Sequence, residues 1–296
     1  MPNGEEESIL AMNLASIGEN LSEGIRRLKD VGIDNARSEA CWMLEELMNV
    51  SASEMASRLS TELPEEVKDA FWVQIRRRAS GEPLQYVIGN VDFYNVRLSV
   101  GRGVLIPRPE TEELVELAVS LVNEVPEAIC DVCTGSGAIA LALAKEFPTT
   151  KVFATDISAD ALHWAERNRQ ALELMNVSFF HGDLFNPLPS GQSFGMITAN
   201  PPYVSERAYD GLDSVVRDYE PKIALVSDDM GMGLLKRIAV EAKERLLPGG
   251  WLVCEIGDDQ GEAIARSFQE EGYVDIRICK DMAHLDRMAI GRRKVA

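Results

Sequence analysis

The spacing of hydrophobic positions changes its period along the chain. Between about residues 8 and 80 they recur three and four apart: Leu21, Ile25 and Leu28; Ala40, Met43, Leu44, Leu47 and Met48; Val67, Ala70, Phe71 and Ile75. That spacing puts each group on one face of a helix. Breaks at Gly32-Ile33-Asp34, Ser51-Ala52-Ser53 and Leu63-Pro64 separate the helices, and Pro64 suits a first turn. A small helical bundle is therefore expected over residues 1–83. From Gly81 the pattern shortens. Tyr86–Gly89, Val91–Tyr94 and Val96–Val100 read as strands of a hairpin linker over residues 84–106. A helix beginning at Glu110 or Thr111 then carries Leu114, Leu117, Ala118 and Leu121 on its inner face.

Over residues 107–296 apolar runs alternate with helical periodicity. Strands are predicted at 128–133, 151–156, 176–181, 194–199, 250–256, 273–279 and 286–291, and helices at 137–147, 158–173, 231–246 and 259–271. Such alternation predicts a mostly parallel sheet covered on both faces. The last two strands have no helix between them, so they should form an antiparallel pair at the sheet edge. The fold class is α/β: a seven-stranded Rossmann-like domain preceded by the helical bundle and the hairpin.

A length of 296 residues suits two domains. A 46% hydrophobic and 26% charged composition argues against disorder. Charge changes the picture more. There are 30 Lys+Arg against 48 Asp+Glu, a formal net of −18, which argues against a general nucleic-acid-binding surface. Residues 1–83 are acidic as well, and Arg76-Arg77-Arg78 reads as a solvated helix end, with phosphate binding as the alternative. No apolar run approaches the roughly 20 residues of a membrane span. The opening MPNGEEES lacks a basic-then-apolar leader pattern, so the cytoplasm is the expected compartment. The five cysteines are expected as thiols. Cys130 and Cys133 form a C-x-x-C, read as strand and loop residues with a redox pair as the alternative; His163, His181 and His284 offer no ligand spacing, and no metal is expected.

The first candidate site is a glycine loop. The strand Ala128–Cys133 turns through Thr134-Gly135-Ser136-Gly137 into a helix, and glycines there let the backbone approach a ligand. Asp156, 19 residues after Gly137 at the next strand end, is placed for ribose hydroxyls. Gly-x-Gly-x-x-Ala also fits a dinucleotide fingerprint. Two acids favour S-adenosylmethionine: Asp131 suits an ammonium group better than a pyrophosphate, and Asp183, followed by Leu184, suits the amino edge of adenine.

The second candidate is Asn200-Pro201-Pro202-Tyr203, which follows the buried strand Gly195–Ala199. Two prolines fix two φ angles and remove two N–H donors. Asn200 Oδ1 and the Pro201 carbonyl would be paired acceptors for an NH2 group. Tyr203 would add a flat face beside a sulfonium cation, with Pro202 shaping the pocket.

This constellation resembles the amino methyltransferases that carry Asn/Asp-Pro-Pro-Tyr/Phe. Leu105-Ile106-Pro107-Arg108-Pro109-Glu110-Thr111-Glu112, Thr134–Ala140, Tyr219-Glu220-Pro221 with Ala224-Leu225, and Glu255-Ile256-Gly257 with Gln260-Gly261 narrow it. Together with the tetrapeptide they are similar to the HemK/PrmC family, from about residue 84 to the end. Cys133 departs from that pattern, standing where a first glycine is usual.

The resemblance implies a seven-stranded S-adenosylmethionine-dependent methyltransferase domain behind a substrate-binding bundle. It implies transfer of methyl to N5 of the glutamine in the Gly-Gly-Gln motif of class I peptide chain release factors. Asn200 and Pro201 would orient the amide, and Cys133–Gly137 with Asp131 and Asp156 would hold the cofactor. Asp183 and Leu184 would border adenine, and Arg108 and Glu110 would stand at the pocket mouth. A monomer without membrane or direct nucleic-acid contact is expected. Three other readings are a nucleic-acid amino methyltransferase using the same tetrapeptide, a non-catalytic cofactor-binding module, and an NAD-dependent oxidoreductase. The last does not account for Asn-Pro-Pro-Tyr.

Overall fold

The computed structural model describes residues 14–295, so positions 8–13 of the predicted bundle lie outside the described residues. The chain divides between Ile88 and Gly89 into two compact units. No helix among the described residues is long and apolar enough to cross a membrane.

The first unit is helical: α1 (Ile17–Asp30), α2 (Ala36–Met48), α3 (Ala52–Ser57), α4 (Glu65–Ala79) and α5 (Leu84–Ile88). Helices α1 and α3 begin alike. Ser16 and Ser51 accept the backbone N–H of Glu19 and Glu54, whose carboxylates accept the serine N–H in return. These reciprocal bonds satisfy donors that a helix start leaves orphaned. Leu28, Met43, Leu44, Phe71 and Ile75 form the core. The buried Asn20 is satisfied by Trp72 Nε1 at 2.9 Å and by the Ser16 carbonyl at 2.9 Å.

The arginine triplet is partly occupied within this unit. Arg78 pairs with Glu39 at 2.6 Å, and Arg77 pairs with Glu82 at 2.8 Å while donating to the carbonyls of Tyr86 and Val87. That last contact corrects the sequence reading of Tyr86–Gly89 as a strand: the segment ends a short helix. Tyr86 and Val87 N–H groups return to the Pro83 carbonyl, and a guanidinium caps the carbonyls at the far end. The hairpin is confined to β1 (Asn90–Phe93) and β2 (Val96–Ser99).

The second unit carries α6 (Pro109–Ser120), β3 (Ala128–Val132), α7 (Ala138–Glu146), β4 (Lys151–Asp156), α8 (Ala159–Ala171), β5 (Val177–His181) and β6 (Phe194–Ala199). Short helices α9 (Glu206–Tyr209) and α10 (Ser214–Tyr219) come next, and then α11 (Gly233–Arg245), β7 (Leu246–Glu255), α12 (Gly261–Glu270), β8 (Val274–Lys280) and β9 (Asp286–Arg292). The sheet order is β5-β4-β3-β6-β7-β9-β8. The first five strands are parallel, and β9 runs antiparallel to both β7 and β8. The sheet is seven-stranded with an antiparallel pair at one edge, as the pattern predicts.

Both sheet faces are covered, which is why β3 and β6 read as continuous apolar runs. Val132, Ala199, Cys254 and Leu235 belong to one core, while Ile129, Met196, Val253 and Leu114 belong to the other. The chain winds outward from β3 to β5, then returns to place β6 on the opposite side of β3. Strand order reverses there, and the carboxyl ends of β3 and β6 open a crevice of the kind that binds ligands.

Candidate active site

At the end of β3 the chain makes a strained turn. Cys133, Gly135 and Gly137 all take left-handed backbone conformations, at φ 59°, 58° and 83°. Gly137 has little room for a side chain, since a Cβ would lie 3.0 Å from Leu141 Cδ1 and 3.3 Å from Ala165 Cβ. The turn is held from the next strand: Thr134 N–H donates to the Thr155 carbonyl at 3.0 Å, and Gly135 N–H to Asp156 Oδ2 at 2.8 Å. Asp156 Oδ1 accepts Ser158 N–H at 2.8 Å. Burial raises the Asp156 carboxyl above its usual range, and these backbone N–H bonds oppose the shift.

Asp131 sits beneath the loop. It is fully buried, and its oxygens accept the hydroxyls of Thr134 at 2.6 Å and Thr198 at 2.7 Å. Burial pushes its carboxyl up to about 7 against those two bonds. Cys133, Thr134, Gly135, Ser136 and Asp156 line a cavity of about 420 Å³; Asp131 and Gly137 do not line it and support the loop from behind. The C-x-x-C thiols are both pushed well up, first by burial, so neither has thiolate character.

Asp183 and Leu184 reach the same cavity from the end of β5. Asp183 holds a two-pronged bond to Arg237, at 2.8 and 3.2 Å. Arg237, also on the cavity wall, is a residue that sequence reasoning missed. A carboxylate gripped this way retains lone pairs for a further donor.

Asn200 and Pro202 line the cavity from the end of β6, whereas Pro201 and Tyr203 do not. Asn200 Nδ2 donates to Thr111 Oγ1 at 3.2 Å, and Thr111 donates to Glu255 Oε2 at 2.7 Å. Tyr203 is turned toward the same carboxylate, its hydroxyl donating to Glu255 Oε1 at 3.2 Å. The expected wall formed by its ring is thus replaced by a structural contact. Burial, then the Glu255 charge, raises the Tyr203 hydroxyl, which stays protonated. Glu255 is itself raised, burial outweighing the two hydroxyl bonds. Behind the tetrapeptide, Gln260 donates to the Tyr203 carbonyl at 3.0 Å. Gly231, at φ 89°, packs so close that a Cβ would lie 2.1 Å from that oxygen.

Arg108 and Glu110 do not line the cavity. Arg108 pairs with the buried Glu220 at 2.5 Å, and Glu220 also accepts the Ile106 N–H at 3.1 Å. This pair clamps the stretch carrying Leu105 and Pro107 to the one carrying Pro221 and Ile223, and both stretches are cavity wall. Glu110 is exposed at the first turn of α6. The sequence reading placed Arg108 at the pocket mouth, whereas the structure makes it a clamp behind the wall, and that reading missed Glu220, Thr111 and Glu255. The last three lie inside motif stretches, which was their only signal.

A sheet of this order with a glycine turn after β3 and an Asn-Pro-Pro-Tyr end on β6 defines the α/β methyltransferase class. A methyltransferase from Pyrococcus furiosus superposes with a TM-score of 0.51 over 68% of this chain and 91% of that one, at 18% identity, a likeness of fold. Residues 19–89 match the PrmC N-terminal domain, and residues 115–217 match the methyltransferase small domain. The release factor glutamine methyltransferase of Escherichia coli is 37% identical over 272 residues, 92% of this chain and 97% of that protein. That of Thermodesulfovibrio yellowstonii is 42% identical over 219 residues, 73% of this chain and 78% of its own. The chain belongs to the release factor glutamine methyltransferase family.

Proposed function

We propose that the protein transfers the methyl group of S-adenosylmethionine to the side-chain nitrogen N5 of a glutamine, in the Gly-Gly-Gln motif of class I peptide chain release factors. The observation that carries this reading is the Asn200 amide. It stands at the cavity wall with its NH2 turned to Thr111, which leaves Oδ1 as an acceptor for an incoming NH2. Family membership supports the substrate class.

The residues present fit the cofactor. The cavity, about 420 Å³, falls within the range of small-molecule sites. A Cβ at Gly135 would find nothing closer than Val104 Cγ2 at 4.0 Å, so the turn leaves room beside its backbone. The Asp156 carboxylate suits ribose hydroxyls, and Ile157, Ala161 and Leu184 offer apolar wall for a flat ring. Thr155 Oγ1, among the lining residues, is buried without a hydrogen-bond partner among the described residues.

When bound, S-adenosylmethionine supplies an electrophilic methyl group. A glutamine amide is a weak nucleophile because its lone pair is delocalised, so the residues of the chain contribute chiefly positioning. Asn200 Oδ1 would accept an N–H bond of the substrate amide and so aim its nitrogen into the cavity, while Pro201, off the cavity wall, stiffens the backbone beside it. The same acceptor would stabilise the positive charge that grows on that nitrogen. Ile139, Leu184 and Leu234 contribute apolar wall to the cavity.

Incubation with tritiated S-adenosylmethionine and a release factor should label the release factor. A Gln→Ala change in its Gly-Gly-Gln loop should erase the label. Label in RNA or DNA with an unmodified release factor would establish the nucleic-acid reading instead.

A further inference from the structure

A buried carboxylate with no counter-ion in direct contact is costly, and among the described residues Glu255 is one: it is 1% exposed, and its hydrogen-bond partners there are two hydroxyls. What it accomplishes follows from donor arithmetic. A carboxylate only accepts. The single hydroxyl proton of Thr111 is therefore committed to Glu255 Oε2, at 2.7 Å. Toward Asn200 the Thr111 oxygen then has only lone pairs to offer. Asn200 must turn its NH2 to Thr111, at 3.2 Å, and its Oδ1 the other way. The second Glu255 oxygen is held by Tyr203 at 3.2 Å, so the carboxylate cannot swing from its place.

We propose that Thr111 and Glu255 are positioning residues that set the polarity of the Asn200 amide, making it present an acceptor, and so select a methyl acceptor bearing an NH2. The proposal rests on the function proposed above. It accounts for a buried charge that makes no contact with the cavity. It also predicts an inversion. With Glu255→Gln, the new NH2 can donate to Thr111. The Thr111 proton is then free to donate to Asn200 Oδ1, and the Asn200 amide turns over. Its NH2 would face the NH2 of the substrate, donor against donor.

Thr111→Val keeps the shape and removes the hydroxyl, while Thr111→Ser keeps the hydroxyl. Thr111→Val and Glu255→Gln should each lower kcat on the release factor about 10–100-fold, and Thr111→Ser should stay within about threefold of wild type. The cofactor Kd, read by calorimetry, should change less than about twofold in all three. In an Asn200→Ala background, Thr111→Val should add less than about twofold, because there is no amide left to orient. A Thr111→Val enzyme as fast as wild type overturns the proposal, and so does a loss that multiplies with that of Asn200→Ala. A second readout needs no substrate. The side-chain NH2 signals of Asn200 in nitrogen-15 spectra should be protected from exchange in wild type and Thr111→Ser, and lose that protection in Thr111→Val. Unchanged signals in Thr111→Val also overturn the relay. A wild-type protein that never labels the release factor instead sinks the functional reading, with the spectra still deciding the relay.

Discussion

The two strand ends that face the cavity are built by different means. At the end of β3, geometry comes from the backbone: three left-handed residues within five, tied by short-range loop bonds and by two contacts from β4. At the end of β6, the backbone is stiffened by prolines, but the chemical polarity of Asn200 comes from side chains on α6 and β7, 89 residues back and 55 forward. A loop made of backbone, with the Asp156 carboxylate behind it, offers one fixed shape to a ligand of fixed composition. An amide aimed by a side-chain relay can distinguish a donor from an acceptor, which is what choosing a methyl acceptor requires. The contrast predicts that damage at β3 appears in cofactor binding or stability, and damage at β6 in turnover.

The sharpest test is Asn200→Ala. Loss of one positioned transition-state hydrogen bond should cost about 3–4 kcal/mol, roughly 100–1000-fold in kcat, with cofactor affinity nearly unchanged. Equal losses in both would make the β6 end a cofactor contact and dissolve the contrast.

Next comes the buried acid under the β3 loop. Asp131 keeps its proton in the folded state up to about pH 7, whereas the unfolded chain releases it near 3.8. Stability should therefore fall as pH rises from about 4 to 7, and change no further from this group above that. The whole loss is on the order of 4 kcal/mol. Asp131→Asn removes the titration, so urea unfolding of the two proteins at pH 4, 5.5 and 7 should diverge steadily. Parallel curves would mean that the carboxyl is ionised and solvated in the folded state.

Asp156→Asn should act on the cofactor alone. The amide retains one acceptor oxygen for two backbone donors, Gly135 and Ser158, so the loop loses one of its ties. A rise of about tenfold in cofactor Kd is expected, with kcat at saturating cofactor within about twofold, read by calorimetry and steady-state rates. A fall in kcat alone would transfer Asp156 to the other side of the comparison.

The smallest effect is expected at Cys133. Its left-handed φ of 59° costs a non-glycine residue about 1 kcal/mol, and glycine would relieve that while adding similar freedom to the unfolded chain. Cys133→Gly should leave the midpoint of thermal unfolding within a few degrees and cofactor affinity within about threefold. A large gain in affinity would show that the thiol obstructs the cavity.

Much of this was legible because it is local. A glycine turn between an apolar strand and a helix is encoded in some ten consecutive residues, and so is a strand that ends in two prolines. The reading of Tyr86–Gly89 failed for the opposite reason. Its alternation suits a strand, but Arg77 caps the Tyr86 and Val87 carbonyls, and that contact depends on how α4 lies. Helices α9 and α10 were also missed, since four and six residues are too few to show a period.

By itself the sequence determined the succession of the seven sheet strands and the long helices between them, the antiparallel edge, and the position of both cavity-facing turns. It could do so because burial on a period of two or 3.6, and the φ preferences of glycine and proline, act between neighbours. Only the tertiary structure decided that Asp131 supports the loop from below, that Arg108 closes on Glu220, and that Arg237 meets Asp183. It also decided that Thr111 joins Asn200 to Glu255, a bond spanning 144 residues from Thr111 to the carboxylate. A hydrogen bond needs its partners within about 3 Å with a donor facing an acceptor. Across such separations in sequence, only the winding of the sheet brings them there.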